Sequence, residues 1–310
     1  MAGKMKRTFA TTAVVTLLIA VPVWGQQAGE KPADSQPAQG VIKFLPPTPE
    51  QIQAARALAQ DFADKAKAFA PSMHLVETKH FLIFSAWDRS NDKPLAEISE
   101  RLYQALCRQF DIPATENLWV GKCPIYVFWE QENFSRFTVE VDETNKTESG
   151  GYQVQTSEGF CYIVMNAVRD KTRFYEVLVH ETTHAFVGRY QTNKPIPRWV
   201  NEGLAEYMAA TMVPGCSAAM RYVETTKQAV MLKQDVSHVF SEMGANAFDY
   251  GIAQSLVRFM IARNRKGFVK FITLIKEGAE EKDALKETFH LTHGELLAAW
   301  RSSASKHFKR

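Results

Sequence analysis

A change of hydrophobic period near residue 166 constrains this chain more than any other feature. Before it, short apolar runs read as strands. These are His80-Phe81-Leu82-Ile83-Phe84-Ser85, Pro124-Ile125-Tyr126-Val127-Phe128-Trp129, Tyr152 to Gln155, and Phe160 to Met165. The last two are joined by a turn through Ser157, Glu158 and Gly159. From Thr172 almost to the end, apolar residues recur at helical spacing instead. Two helices also belong to the first half. Thr48-Pro49-Glu50-Gln51 supplies an N-cap, a first-turn proline and a capping-box glutamine. Ile52, Ala55, Ala59, Phe62, Ala66 and Phe69 then form one stripe. Pro94 to Phe110 carries a second stripe of Leu95, Ile98, Leu102, Leu106 and Phe110. The polar stretch 140–151, ending in Gly150-Gly151, reads as a loop. Strands gathered in one half and helices in the other predict an α+β fold. Its expected parts are a small N-terminal mixed sheet with helices, a helix pair, and a helical C-terminal subdomain.

The N-terminus reads as an address. Lys4, Lys6 and Arg7 precede an almost wholly apolar run from Phe9 to Val23, and Val23-Trp24-Gly25 stands where a signal peptidase would cut. Residues 1–25 are therefore expected to be a signal peptide, and 26–47, rich in Gln, Ala, Gly and Pro, a flexible leader. The run is short for a membrane span of ~20 residues, although an uncleaved anchor is the alternative reading. No later segment approaches a span. The implied location is outside the cytoplasm, periplasmic or secreted. In such a compartment Cys107, Cys123, Cys161 and Cys216 could form zero, one or two disulfides. None lies in a Cys-x-x-Cys pair.

Charge removes one class of partner. No acid precedes Glu30, and three of the 37 Lys and Arg lie in residues 1–25. The rest of the chain holds 34 bases against 34 acids, so nothing in its balance favours nucleic acid or an anionic membrane. Oligomeric state is not legible.

The chemistry concentrates in His180-Glu181-Thr182-Thr183-His184. Residues four apart on a helix differ by about 40° around the axis, so both imidazoles project from one face. They can share one Zn²⁺ at ~2.0–2.1 Å. Glu181, rotated by about 100°, reaches a metal-bound water rather than the metal. Phe174, Val177, Leu178, Phe186 and Val187 suit a buried, rigid helix. After a loop with Pro195 and Pro197 comes Trp199-Val200-Asn201-Glu202-Gly203-Leu204-Ala205-Glu206-Tyr207, a second helix ending before Pro214-Gly215. Zinc hydrolases need a third protein ligand and an open position. Glu202 is the candidate ligand. Glu206, one turn on, can accept a hydrogen bond from the far nitrogen of a ligating histidine. Exchange of these two roles stays open, as does a solvent-facing Glu206.

His-Glu-x-x-His followed by Trp-x-Asn-Glu-Gly-x-Ala-x-Tyr resembles the gluzincins, the thermolysin-like and aminopeptidase-like zinc peptidases. It is most similar to the small exported bacterial proteins called peptidase MA-like. The specific match covers roughly residues 150–260. The resemblance implies a gluzincin-like catalytic domain over 48–216 and a helical subdomain over 217–310 forming the other wall of the cleft. It implies one Zn²⁺ on His180, His184 and Glu202, with Glu181 as general base and Glu206 behind a ligand. Tyr250, in Asp249-Tyr250-Gly251-Ile252-Ala253-Gln254-Ser255, matches the position of an oxyanion-stabilising tyrosine, although the usual Tyr-x-Lys-Gly is absent. His238 is a rival donor. The strand Phe160 to Met165 is placed like the edge strand that pairs with substrate backbone in gluzincins, and its apolar character fits a plain core strand equally well. No Gly-x-Met-Glu-Asn occurs, which points to an endopeptidase on peptide or protein substrates. Val187 stands where a metzincin requires Gly. Two other readings are a zinc-bearing but inactive peptide-binding module, and a structural exported protein with a coincidental motif.

Overall fold

The structure is a computed structural model that describes residues 41–308. The signal-peptide segment and residues 26–40 of the leader lie outside the described residues. The fold is mixed α+β. A five-stranded mixed sheet occupies the first half, and the second half of the described residues is helical.

The chain opens with α1 (Pro49–Lys67), whose Thr48 and Gln51 form the expected reciprocal capping box. There follow β1 (His74–Glu77), β2 (Phe81–Ser85), α2 (Asp92–Gln109), β3 (Cys123–Phe128) and α3 (Gln131–Arg136). A π-helical turn, Phe137–Val141, then leads through a loop to β4 (Gly151–Gln155) and β5 (Cys161–Asn166). The sheet order is β1-β2-β3-β5-β4. β2, β3 and β5 run parallel, and β1 and β4 are antiparallel edges. β1 adds to the strands expected. Its burial alternates residue by residue along His74-Leu75-Val76-Glu77, the mark of an edge with one wet face.

The three central strands are buried throughout and almost wholly apolar because both sheet faces are covered. Side chains alternate between faces along a strand. Phe81, Ile83, Ile125, Val127, Ile163 and Met165 join the core built by α2 and the helices of the second half. Leu82, Phe84, Tyr126, Phe128, Tyr162 and Val164 join a second core under α1. There α1 presents Ala55, Ala59, Ala63 and Ala66, small residues that let the helix lie close to aromatic rings. Ile52, expected in that stripe, is instead largely exposed.

The helical half comprises α4 (Lys171–Arg189), α5 (Arg198–Met212), α6 (Ser217–Met231), α7 (Ala247–Lys276), α8 (Glu281–Phe289) and α9 (His293–Phe308). α7 breaks at Asn264, whose backbone is non-helical. The Asn264 side-chain oxygen accepts from Gly267 N at 2.9 Å and so caps the second part of the helix. One apolar core runs from Phe81 on the sheet through α4, α5 and α7 to Trp300 on α9.

The leader departs from the sequence reading, and the cysteines take one of the outcomes it left open, no disulfide. Residues 42–44 of the leader are docked. Phe44 N donates to Gln191 O at 2.8 Å, Asn193 N donates to Ile42 O at 3.0 Å, and the Arg189 guanidinium lies 4.3 Å from the centre of the Phe44 ring. All four cysteines are buried free thiols.

Candidate metal centre

Helix α4 carries the motif into the middle of the molecule. Asp170 caps its start by accepting from Arg173 N at 3.2 Å. At its other end the Lys276 ammonium donates to Gly188 O at 2.9 Å, a cation placed at a helix C-terminus. Phe174, Leu178, Phe186 and Val187 are buried, so the helix is held on its apolar sides.

α5 lies against both α4 and α7, and one glycine sets its distance from α7. A Cβ on Gly203 would stand 2.5 Å from Ala253 O and 2.7 Å from Ala253 C, closer than real Cβ atoms approach. Gly203 follows Glu202, so the close helix contact fixes the position of that carboxylate.

His180, His184 and Glu202 converge. The two Nε2 atoms face one another at 2.9 Å, with the rings nearly perpendicular at 84°. Glu202 Oε2 lies 3.3 Å from His180 Nε2 and 3.4 Å from His184 Nε2. Donors bound tetrahedrally at ~2.0–2.1 Å are separated by about 3.3 Å, so this triangle has the size a zinc site requires. Glu202 Oε2 is buried with no hydrogen bond, although both imidazoles are beside it. Buried polar atoms are seldom left unsatisfied, and a cation at the centre of the triangle would satisfy this one. The donor set therefore fits Zn²⁺ on geometry and on ligand chemistry.

The electrostatics agree. Burial acts to lower the His180 imidazole, but Glu202 and Glu206 outweigh it and push it up to about 10. Burial acts to raise Glu202, but the two imidazoles hold it well below the usual carboxylate range. The Glu202 and Glu206 carboxylates thus favour positive charge at His180.

Glu206 stands on the far side of His180. Its Oε1 is 3.4 Å from His180 Nδ1, the nitrogen turned away from the triangle. Its Oε2 accepts from Arg221 Nη2 at 2.7 Å. Sequence reasoning missed Arg221 and its other carboxylate neighbour, Glu176, whose Oε1 is 3.5 Å away. Glu176 also accepts from Ser217 Oγ at 2.6 Å and Ala218 N at 2.9 Å, capping α6 from α4. A signal did exist. Arg173, Glu176, His180, Glu181 and His184 follow one another at spacings of one, three or four residues, a polar stripe on an otherwise buried helix.

The centre opens on a cleft of about 280 Å³. His180, Glu181, Glu206 and Tyr250 line it, while His184 and Glu202 are buried beside it. Burial raises Glu181 above its ordinary value against the pull of both imidazoles, as suits a base that must take up a proton. The Tyr250 ring centre is 6.5 Å from that of His180. Burial and the Glu202 carboxylate push its phenol up, so it stays protonated and able to donate. A larger hollow of about 550 Å³ lies beside the start of α5, but the metal-ligand triangle is not among its walls.

Two points left open by the sequence are decided. His238 is not brought to the cleft; its Nε2 is 2.9 Å from Asp249 Oδ1, at the start of α7. The strand Phe160 to Met165 is not an edge. β5 pairs with β3 on one side and β4 on the other, because β4 returns antiparallel along it. The edge beside the cleft is β4, and Gly150 and Gly151 at its start line the wall. No protein-family model and no curated protein matches this chain.

Proposed function

We propose that this chain is a zinc-dependent endopeptidase. The observation that carries the reading is the triangle of His180 Nε2, His184 Nε2 and Glu202 Oε2, with edges of 2.9, 3.3 and 3.4 Å, beside a cleft that Glu181 also faces. The likeness of the motif pair to gluzincins supports it.

In this reading His180, His184 and Glu202 would hold one Zn²⁺. When bound, the ion supplies a water with pKa near ~7 and polarises the scissile carbonyl. Glu181 takes a proton from the attacking water and returns it to the leaving amine nitrogen. The Tyr250 hydroxyl donates to the oxygen that gains charge. Glu206 accepts from His180 Nδ1 and keeps the opposite nitrogen aimed into the triangle. Arg221 in turn holds Glu206. β4 is the terminal strand of the sheet, and its unpaired edge offers backbone groups to an extended peptide, which makes the cleft selective for chains over compact small molecules.

The signal-like N-terminus supports export to the periplasm or beyond. No helix among the described residues is long and apolar enough to cross a membrane. The competing reading is a zinc-bearing, inactive peptide-binding module. Cleavage of a denatured fluorescent protein by the zinc-loaded chain, absent in Glu181→Gln, separates the two. Peptide binding without cleavage by any preparation would favour the module.

A further inference from the structure

The cleft carries two guanidinium groups among three carboxylates, Glu176, Glu181 and Glu206. Arg173 and Arg221 both line it. Their carboxylate neighbours are already occupied. Glu176 accepts from Ser217 Oγ and Ala218 N and has Arg173 Nη1 at 3.3 Å. Glu206 is engaged by Arg221 and faces His180. A guanidinium carries five N–H donors. Arg173 spends one on a 3.3 Å contact and is half exposed, at 53%. Arg221 directs Nη2 to the two glutamates, and its buried Nε has no partner. Donors on both arginines are thus left for a ligand.

Two helices begin beside the cleft, each with its start already capped, α4 by Asp170 and α7 by Asn246. Arg173 lies in the first turn of α4. Ala245, Asn246 and Ala247, where α7 begins, also line the cleft.

We propose that the Arg173 end of the cleft is a carboxylate-binding subsite. It takes an acidic side chain, or the C-terminal carboxylate, of a peptide lying in the cleft. The proposal rests on the peptidase reading and adds a substrate class to it. Arg173 precedes His180 by seven residues, so it sits about 10 Å along the helix at 1.5 Å per residue. An extended peptide covers that span in about three residues. The recognised carboxylate is therefore about three residues from the bond that is cut. Arg173 donates directly to it, and Arg221 closes the inner side.

The test is binding to zinc-loaded Glu181→Gln protein, measured by fluorescence anisotropy. The probes are tagged octapeptides of Ala and Leu with one Glu walked along the chain, each beside its Gln twin. A further pair differs only in a free or amidated C-terminus. The expected result is one register in which Glu binds roughly tenfold tighter than Gln, the scale of a charge-assisted hydrogen bond. Adding Arg173→Gln should abolish that preference while zinc content stays at one per chain. A preference confined to the terminal pair would assign the subsite to a C-terminal carboxylate. Glu and Gln twins that bind alike in every register, with alike termini, would overturn the subsite and leave the peptidase reading standing. So would a preference undiminished by Arg173→Gln. Zinc-loaded protein that binds none of the peptides would instead overturn the peptidase reading and the subsite together.

Discussion

Replacing Gly203 by Ala tests how the fold positions the third ligand. The new Cβ would meet Ala253 O at 2.5 Å, Ala253 C at 2.7 Å and Val257 Cγ2 at 2.8 Å. Two of these atoms are backbone of α7 and cannot rotate away. Relieving the overlap requires α5 and α7 to part by roughly 0.5–1 Å in a close-packed interior. Overpacking of this kind costs about 1–3 kcal/mol. For a domain of this size that lowers Tm by several degrees, at about 2–4 °C per kcal/mol. Glu202 moves with the helix. Metal-ligand distances tolerate about 0.2 Å, so the same change should weaken zinc binding well beyond its effect on stability. The assay is thermal unfolding with and without zinc, together with zinc affinity by competition with a chelator. Gly294→Ala is the control. Nothing lies within 4 Å of its Cβ position in α9, so that variant should be neutral or slightly stabilising. A Gly203→Ala protein with parental Tm and parental zinc affinity would refute the claim that this contact fixes the ligand.

Three other outcomes are expected. Glu206→Gln should lower zinc affinity roughly 10–100-fold, the usual consequence of losing the partner of a ligating imidazole; titration with a chromogenic chelator measures it. Arg221→Gln should show a smaller loss in the same assay, because Arg221 acts only through Glu206. Lys276 should make stability rise with pH. Burial, with Arg189 nearby, pulls its ammonium down to about 7, so the unfolded chain binds more protons between about pH 7 and 10. Lys276→Met should therefore be more stable than the parent at pH 6, by about 1–3 kcal/mol after losing the bond to Gly188 O. That advantage should vanish near pH 10. Denaturant midpoints that differ equally at both pH values would contradict it.

Much of this molecule was legible in the sequence because its decisive patterns are local. A four-residue spacing puts His180 and His184 on one helix face whatever surrounds them. Apolar runs flagged β2, β3 and β5, because strands covered on both faces leave no polar positions. The capping box at Thr48 needs only four residues to be recognised. What was missed depends on partners distant in sequence. β1 is four residues long and half polar, and it is a strand only because β2 pairs with it. Which strand forms the edge beside the cleft is not legible in the sequence, since order in a sheet is set by pairing and not by position in the chain. Arg221 reaches Glu206 and Glu176 across 15 and 45 residues. Its place in the centre follows from how α6 packs, which no periodicity reveals. The docked leader likewise joins residues about 150 apart.

The most direct test of the central claim joins metal content to turnover. The chain from residue 26 onward, and its Glu181→Gln variant, would be purified in zinc-containing buffer. Bound metal would be measured by atomic emission, and cleavage by release of fluorescence from a quenched denatured protein. The account predicts one zinc per chain in both proteins and cleavage by the parent alone. Equal cleavage by both would contradict the role of Glu181. A parent that binds no stoichiometric zinc would contradict the metal centre, and with it the proposed function.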